Sequence, residues 1–157
     1  IVLTSINNVR EKAQTAALAQ ALKQLDRAFY MWADSANIDT WWLESSFGLG
    51  DNPTLGKLIE NTNFGSYISS TTPAVTNLVY KYDNDGDVHD PTDNCDSVSQ
   101  PSNNVNRGVS ILLVELPASI ANDLEGLFDS TESRWCGQFR YNNNGTGLYN
   151  LSYDQDF

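Results

Sequence analysis

The sequence predicts an α+β domain: one long N-terminal helix packed on an antiparallel sheet, with a short inserted helix. Three observations predict it. Residues 1 to about 36 hold no glycine or proline and repeat apolar side chains at three- and four-residue steps. From Leu78 onward the apolar pattern changes to that of strands. Near its end the chain carries Asn142-Asn143-Asn144-Gly145 between two strand-like segments, which reads as a hairpin turn. The 157 residues suit one domain with a real core. A composition of 40% apolar and 11% aromatic residues argues for a globular chain rather than a disordered one.

The single domain, 1–157, divides into a long amphipathic helix (1–36), a connection (37–77), and a sheet with an acidic loop and a C-terminal hairpin (78–157). The helix is rich in Ala, Leu, Gln and Lys, all good helix formers. Its apolar face reads Val2, Ile6, Val9, Ala13, Ala16, then Leu22, Leu25, Phe29 and Trp32. No Ser, Thr, Asp or Asn precedes Ile1-Val2-Leu3, so the pattern opens uncapped, as in a helix cut from a longer one. At 1.5 Å per residue it extends about 54 Å. A compact globule of this size is about 40 Å across, so the first turns are expected to project. The other reading is an ordinary core helix crossing an elongated fold.

In the connection, Asn52-Pro53 predicts a short helix with Pro at its first position and Leu55, Leu58 and Ile59 facing inward. Trp41 and Trp42 read as packing residues. Leu78 to Tyr82 predicts one strand and Val109 to Leu116 a more buried one. Pro117 starts a second helix with Ile120, Leu124, Leu127 and Phe128 on one face. Phe139 to Tyr141 and Leu148 to Tyr153 form the hairpin, with Tyr149, Leu151 and Tyr153 alternating with Asn150 and Ser152.

The formal net charge is -11. Of 20 acids and 9 bases, four of each lie in residues 1–40, which leaves 16 acids against 5 bases in the rest. An acidic lobe beside a neutral arm argues against nucleic-acid binding, which needs a basic stripe. No run of residues is long and apolar enough for a membrane span. The lone histidine, His89, sits among aspartates, and no GxSxG, HExxH or phosphate-cradling glycine loop is present. Acid pairs such as Glu125 and Asp129 at i, i+4 read as a solvated helix face. The expectation is a protein without catalytic residues.

One segment looks like a site. Asp83, Asp85, Asp87, Asp90, Asp93 and Asp96 fall within 14 residues around Gly86. Calcium prefers six to eight hard oxygens, and the first five aspartates are the candidate ligands. The EF-hand match is partial: with Gly86 at the turn, Lys81 and Thr92 occupy places where an acid is wanted. A looser calcium loop and a solvated acidic loop are the two readings. Cys95 and Cys136 have no CxxC spacing. An oxidised pair would close a loop of about 40 residues, stabilise by roughly 4 kcal/mol, and place the chain outside the cytoplasm. Two free thiols are the alternative. Asn144-Gly145-Thr146 and Asn150-Leu151-Ser152 match the glycosylation acceptor pattern, which chance in an Asn-rich chain also explains.

The neutral, Ala-rich stretch Val9-Arg10-Glu11-Lys12-Ala13-Gln14-Thr15-Ala16-Ala17 resembles the part of a type IV pilin's first helix that follows its membrane-embedded half. Val79 to Asp87 (VYKYDNDGD) is similar to the tyrosine-and-acid stretch of many pilins and of type II secretion pseudopilins. The order from Val109 through Leu116-Pro117-Ala118, the short helix, Asp129, Cys136-Gly137 and the hairpin resembles their C-terminal half. The family's methylated Phe, near-invariant Glu and apolar helix are not in this sequence. The resemblance implies a pilin-like fold and a structural subunit of an extracellular filament, anchored before assembly in the inner membrane by a segment missing from this chain. It implies partners of its own kind, or other pilins, through Val2, Ile6, Val9 and Ala13. It further implies a Cys95–Cys136 disulfide holding the C-terminal loop, and calcium at the acidic loop. A secretion pseudopilin is the alternative within the family. Outside it stands a calcium-stabilised extracellular binding module, with Trp41, Trp42 and Phe47 as its ligand surface.

Overall fold

The computed structural model describes residues 2–35, 48–68, 78–83, 110–129, 137–141 and 144–151, with side chains in the first helix described from Ile6. The predicted α+β layout is observed: a long helix, two short helices and a four-stranded antiparallel sheet. Helix α1 runs unbroken from Val2 to Ser35, as the absence of Gly and Pro requires. Its 34 residues give a rod of about 51 Å.

Helix α2 (Leu55–Asn61) begins slightly later than its proline suggests. Pro53 precedes the cap, and the hydroxyl of Thr54 accepts from the Lys57 amide at 3.3 Å. Leu55 and Leu58 are buried and Ile59 packs at the core's margin. A 3-10 turn, Asn63–Ser66, follows and delivers Phe64 to the core.

The strands are β1 (Val79–Asp83), β2 (Ser110–Val114), β3 (Phe139–Tyr141) and β4 (Thr146–Asn150), in the spatial order β1-β2-β4-β3. Helix α3 (Ala118–Phe128) connects β2 to the outer strand β3, and the hairpin returns β4 to the gap beside β2. Register aligns Tyr82, Ile111, Tyr149 and Phe139 as one row across all four strands. Cross-strand neighbours share a face, and two helices cover this one. Phe29 of α1 stacks on Tyr82 at 5.1 Å, while Phe128 of α3 meets Tyr149 edge-on at 5.0 Å.

On that same face Gly147 lies opposite Leu113 and Tyr141. A Cβ there would come within 2.6 Å of Leu116 Cδ2 and 3.1 Å of the Phe139 ring, so the absent side chain leaves room for both to pack on the sheet. Glu115, at φ 66°, turns the chain out of β2, and the next amide, Leu116, donates to the Gly145 carbonyl at 2.7 Å.

Three expectations change. The alternation along the last strand does not appear as exposure. Gly147, Leu148, Tyr149 and Asn150 are all buried, so both faces of β4 are covered here. Leu127 does not share the buried face of α3; it is 60% exposed, and Ala121 takes the inward place with Ile120 and Leu124. Of the two glycosylation triplets, Asn144 is exposed at the hairpin turn whereas Asn150 is buried at 1%.

Candidate assembly surface

The apolar residues of α1 do not form one face. From Ala16 to Leu22 the sequence steps six residues, which rotates the next side chain by about 240°. The structure therefore holds two stripes on roughly opposite sides of the rod. The inward stripe is Leu18, Leu22, Leu25, Phe29 and Trp32, all 3% exposed or less. Leu18 is an addition to the predicted face, although it stands four residues before Leu22.

The inward stripe is held at its far end by aromatic contacts and by hydrogen bonds. Phe29 stacks on Phe64 at 4.3 Å, and Trp32 packs on the same ring at 5.2 Å. The Tyr30 hydroxyl donates to the Leu151 carbonyl at 2.8 Å, and the Trp32 indole to Asn63 Oδ1 at 2.7 Å. Nearer the middle, Lys23 lies over the Phe128 ring at 5.6 Å, tying α1 to α3.

The outward stripe is Ile6, Val9, Ala13 and Ala16, all exposed. Ile6 is 57% and Val9 67% exposed, two of the five large apolar side chains left in water among the described residues. Every residue from Ile6 to Arg10 is exposed, so here α1 has left the body on all sides, as its length predicts. Counted from Val2, the apolar positions recur at steps of four, three, four and three. The inward stripe repeats with the same steps, so this spacing fixes a common side of the helix and not the kind of partner. Of the predicted assembly residues, Ile6, Val9 and Ala13 thus share one exposed face. Val2 lies in the first turn of α1, and its side chain is outside the described residues.

Of the predicted calcium ligands, Asp83 alone lies among the described residues. Asp83 ends β1 and is buried at 2%, in register with Ser110, which in turn faces Asn150. The three make a buried polar row on the sheet face opposite the aromatics. The Ser110 hydroxyl oxygen is buried with no hydrogen-bond partner among the described residues. Asp85, Asp87, Asp90, Asp93, Cys95 and Cys136 lie outside the described residues, as do Trp41, Trp42 and Phe47. Among the described residues, no three His, Cys, Asp or Glu side chains gather to hold a metal, and no helix is long and apolar enough to cross a membrane.

A feature that spacing alone does not reveal is the Asp129 carboxylate. It does not lie on a solvated face: Oδ1 accepts from the Gln138 amide at 2.9 Å and Oδ2 from the Phe139 amide at 2.6 Å. The chain passes so close that a Cβ on Gly137 would fall 2.3 Å from Oδ1. Burial pushes the pKa of Asp129 above the usual value of 3.8, against the two amides and the Arg140 charge, which lower it. The clamp is a structural joint between the end of α3 and the start of β3.

Compared with known proteins, the chain matches no family model, no curated protein and no solved structure.

Proposed function

We propose that this chain is a structural subunit of an extracellular type IV pilus-like filament, assembling through α1 and carrying out no catalysis. The observation that supports it most is the division of labour along α1. One half is locked to the sheet by its inward stripe, and the other half offers an outward apolar stripe beyond the body. A helix that served only its own core would gain nothing from leaving Ile6 and Val9 in water. In this reading a preceding apolar segment anchors the subunit in the inner membrane before assembly, and α1 then packs among other copies or other pilins.

The test is filament formation by the full precursor in cells, seen by electron microscopy. Val9→Asp, with the fold checked by melting of the soluble chain, is expected to abolish filaments while leaving Tm nearly unchanged. Normal filaments from that variant, or none from the wild-type precursor in its native cell, would sink the assembly reading.

Calcium remains part of the proposal, with Asp83 at the edge of the site and the Ser110 oxygen beside it. Calorimetric titration is expected to show micromolar binding, and chelator is expected to lower Tm. Asp85→Ala should remove both effects. Titration without heat, together with a Tm indifferent to chelator, would reduce the segment to a solvated acidic loop.

A further inference from the structure

The outward stripe has a charge setting that says what covers it. Arg10 and Lys12, both exposed, stand beside Val9 and Ala13, and four of the nine bases of the chain lie on α1. If two copies met stripe to stripe about a two-fold axis, Arg10 and Lys12 would crowd their own kind. The rest of the chain is acidic: α1 has three acids against its four bases, and residues 36–157 have 17 acids against 5 bases. The complement of the stripe is therefore an acidic surface that also offers an apolar contact.

Such a surface is described on the same chain. Outside α1, the large exposed apolar side chains among the described residues are Val79 and Leu127. Val79 shares β1 with Lys81. Leu127 sits on α3, which has no Lys or Arg of its own, and Asp123 lies one turn earlier, also exposed; a base described next to α3 is Lys23 of α1, engaged over the Phe128 ring. Gly126, beside Leu127, has open space around it, so another helix could approach closely there.

We infer that the outward stripe of α1, from Ile6 to Ala16, docks on the outward face of α3 (Asp123, Gly126, Leu127) of a second copy. This deepens the filament reading and rests on it for its biological setting. The two surfaces differ, so the contact is heterologous: each bound copy still presents a free stripe and a free α3. Unless a ring closes, such contacts propagate in one direction. The stripe is narrow and short, so a single contact is weak and strengthened by opposite charge.

Two variants of the 157-residue chain test this, by sedimentation across concentration at low and high salt. Wild type is expected to self-associate at low salt and to dissociate at least tenfold more readily at high salt. V9D/K12E spoils only the stripe, and D123K/L127D spoils only the α3 face. Each alone should be monomeric, yet an equimolar mixture should form a dimer that grows no further, since one copy keeps each good surface. A chain carrying K12E and D123K together, with both apolar surfaces intact, should recover association.

Monomeric wild type at millimolar concentration and low salt would overturn the inference. So would a D123K/L127D chain that associates like wild type, or stronger association after Arg10 and Lys12 are both changed to Glu, which would indicate a symmetric pairing. Filaments from the full precursor in cells alongside any of these results would leave the filament reading standing and remove only this contact.

Discussion

Phe29→Ala is expected to cost about 3–5 kcal/mol of unfolding free energy, the range for deleting a buried aromatic ring. Phe29 is fully buried and is the point where three elements meet. Its ring stacks on Phe64 at 4.3 Å with planes 24° apart and on Tyr82 at 5.1 Å with planes 21° apart, and it touches Trp32 at 6.1 Å. Its loss opens a cavity between α1, the 3-10 turn and β1 that none of them can fill without breaking its own contacts. Domains are stable by roughly 5–15 kcal/mol, so the variant should unfold at a much lower urea midpoint. Met31→Ala, two residues on and 59% exposed, is the control and should change stability by less than about 0.5 kcal/mol. Equal costs for the two would mean that α1 is not seated as described.

The second large effect is at the joint between α3 and β3. Gly137→Ala should destabilise by several kcal/mol, because φ is +85° and the new Cβ would collide with the Asp129 carboxylate. Asp129→Asn is milder, at about 1–3 kcal/mol. An amide keeps one acceptor oxygen but turns an N–H toward the second backbone donor, which is left unpaired. The pH dependence has a definite sign. The folded pKa of Asp129 is raised, so the folded state holds this proton to higher pH than the unfolded chain does. Its favourable contribution is complete below about 3.8 and is lost as pH rises through the folded pKa. The stability of wild type minus that of Asp129→Asn should therefore shrink as pH increases across this window. Urea unfolding at a series of pH values checks it, and a difference that grows instead would show that the two amides outweigh burial.

Much of the architecture is legible in the sequence because its signals are local. A stretch without Gly or Pro has to be read as helix, β-branched and aromatic clusters between turns as strands, and Asn-Gly as a hairpin. The rod's length against the size of the body is enough to put its N-terminal turns in solvent. Errors arise where a pattern has to be combined with geometry. Val2 to Trp32 looks continuous when written in a line, and only the six-residue step at Ala16 shows that the apolar side changes. Leu127 fits the periodicity of α3 as well as Ala121 does, but the sheet beneath decides which is covered. Burial along β4 depends on what covers each face of the sheet, which its own residues do not give.

The sites divide in the same way. Ile6, Val9 and Ala13 are legible as one stripe, since their spacing alone fixes their common side. That the stripe is outward is not, because exposure depends on where Leu18 and Leu22 dock. Asp129 looks in the sequence like one of an ordinary acid pair. Its partners, Gln138 and Phe139, lie nine and ten residues away in a segment whose path no spacing rule gives. Asp83 groups in the sequence with the aspartates that follow it, whereas the sheet pairs it with Ser110.

The continuity of α1 also has a mechanical consequence. A pull on its exposed end, directed along the axis, reaches Leu18, Leu22, Leu25 and Phe29 through an unbroken ladder of hydrogen bonds. The load runs parallel to the buried surface, so these anchors are sheared together rather than peeled off in turn. Sheared together, they share the force, and the rod should hold until all of them yield at once. A sideways pull on the same end would concentrate its load near Thr15 and Leu18, where the rod first meets the body, and should detach it at far lower force.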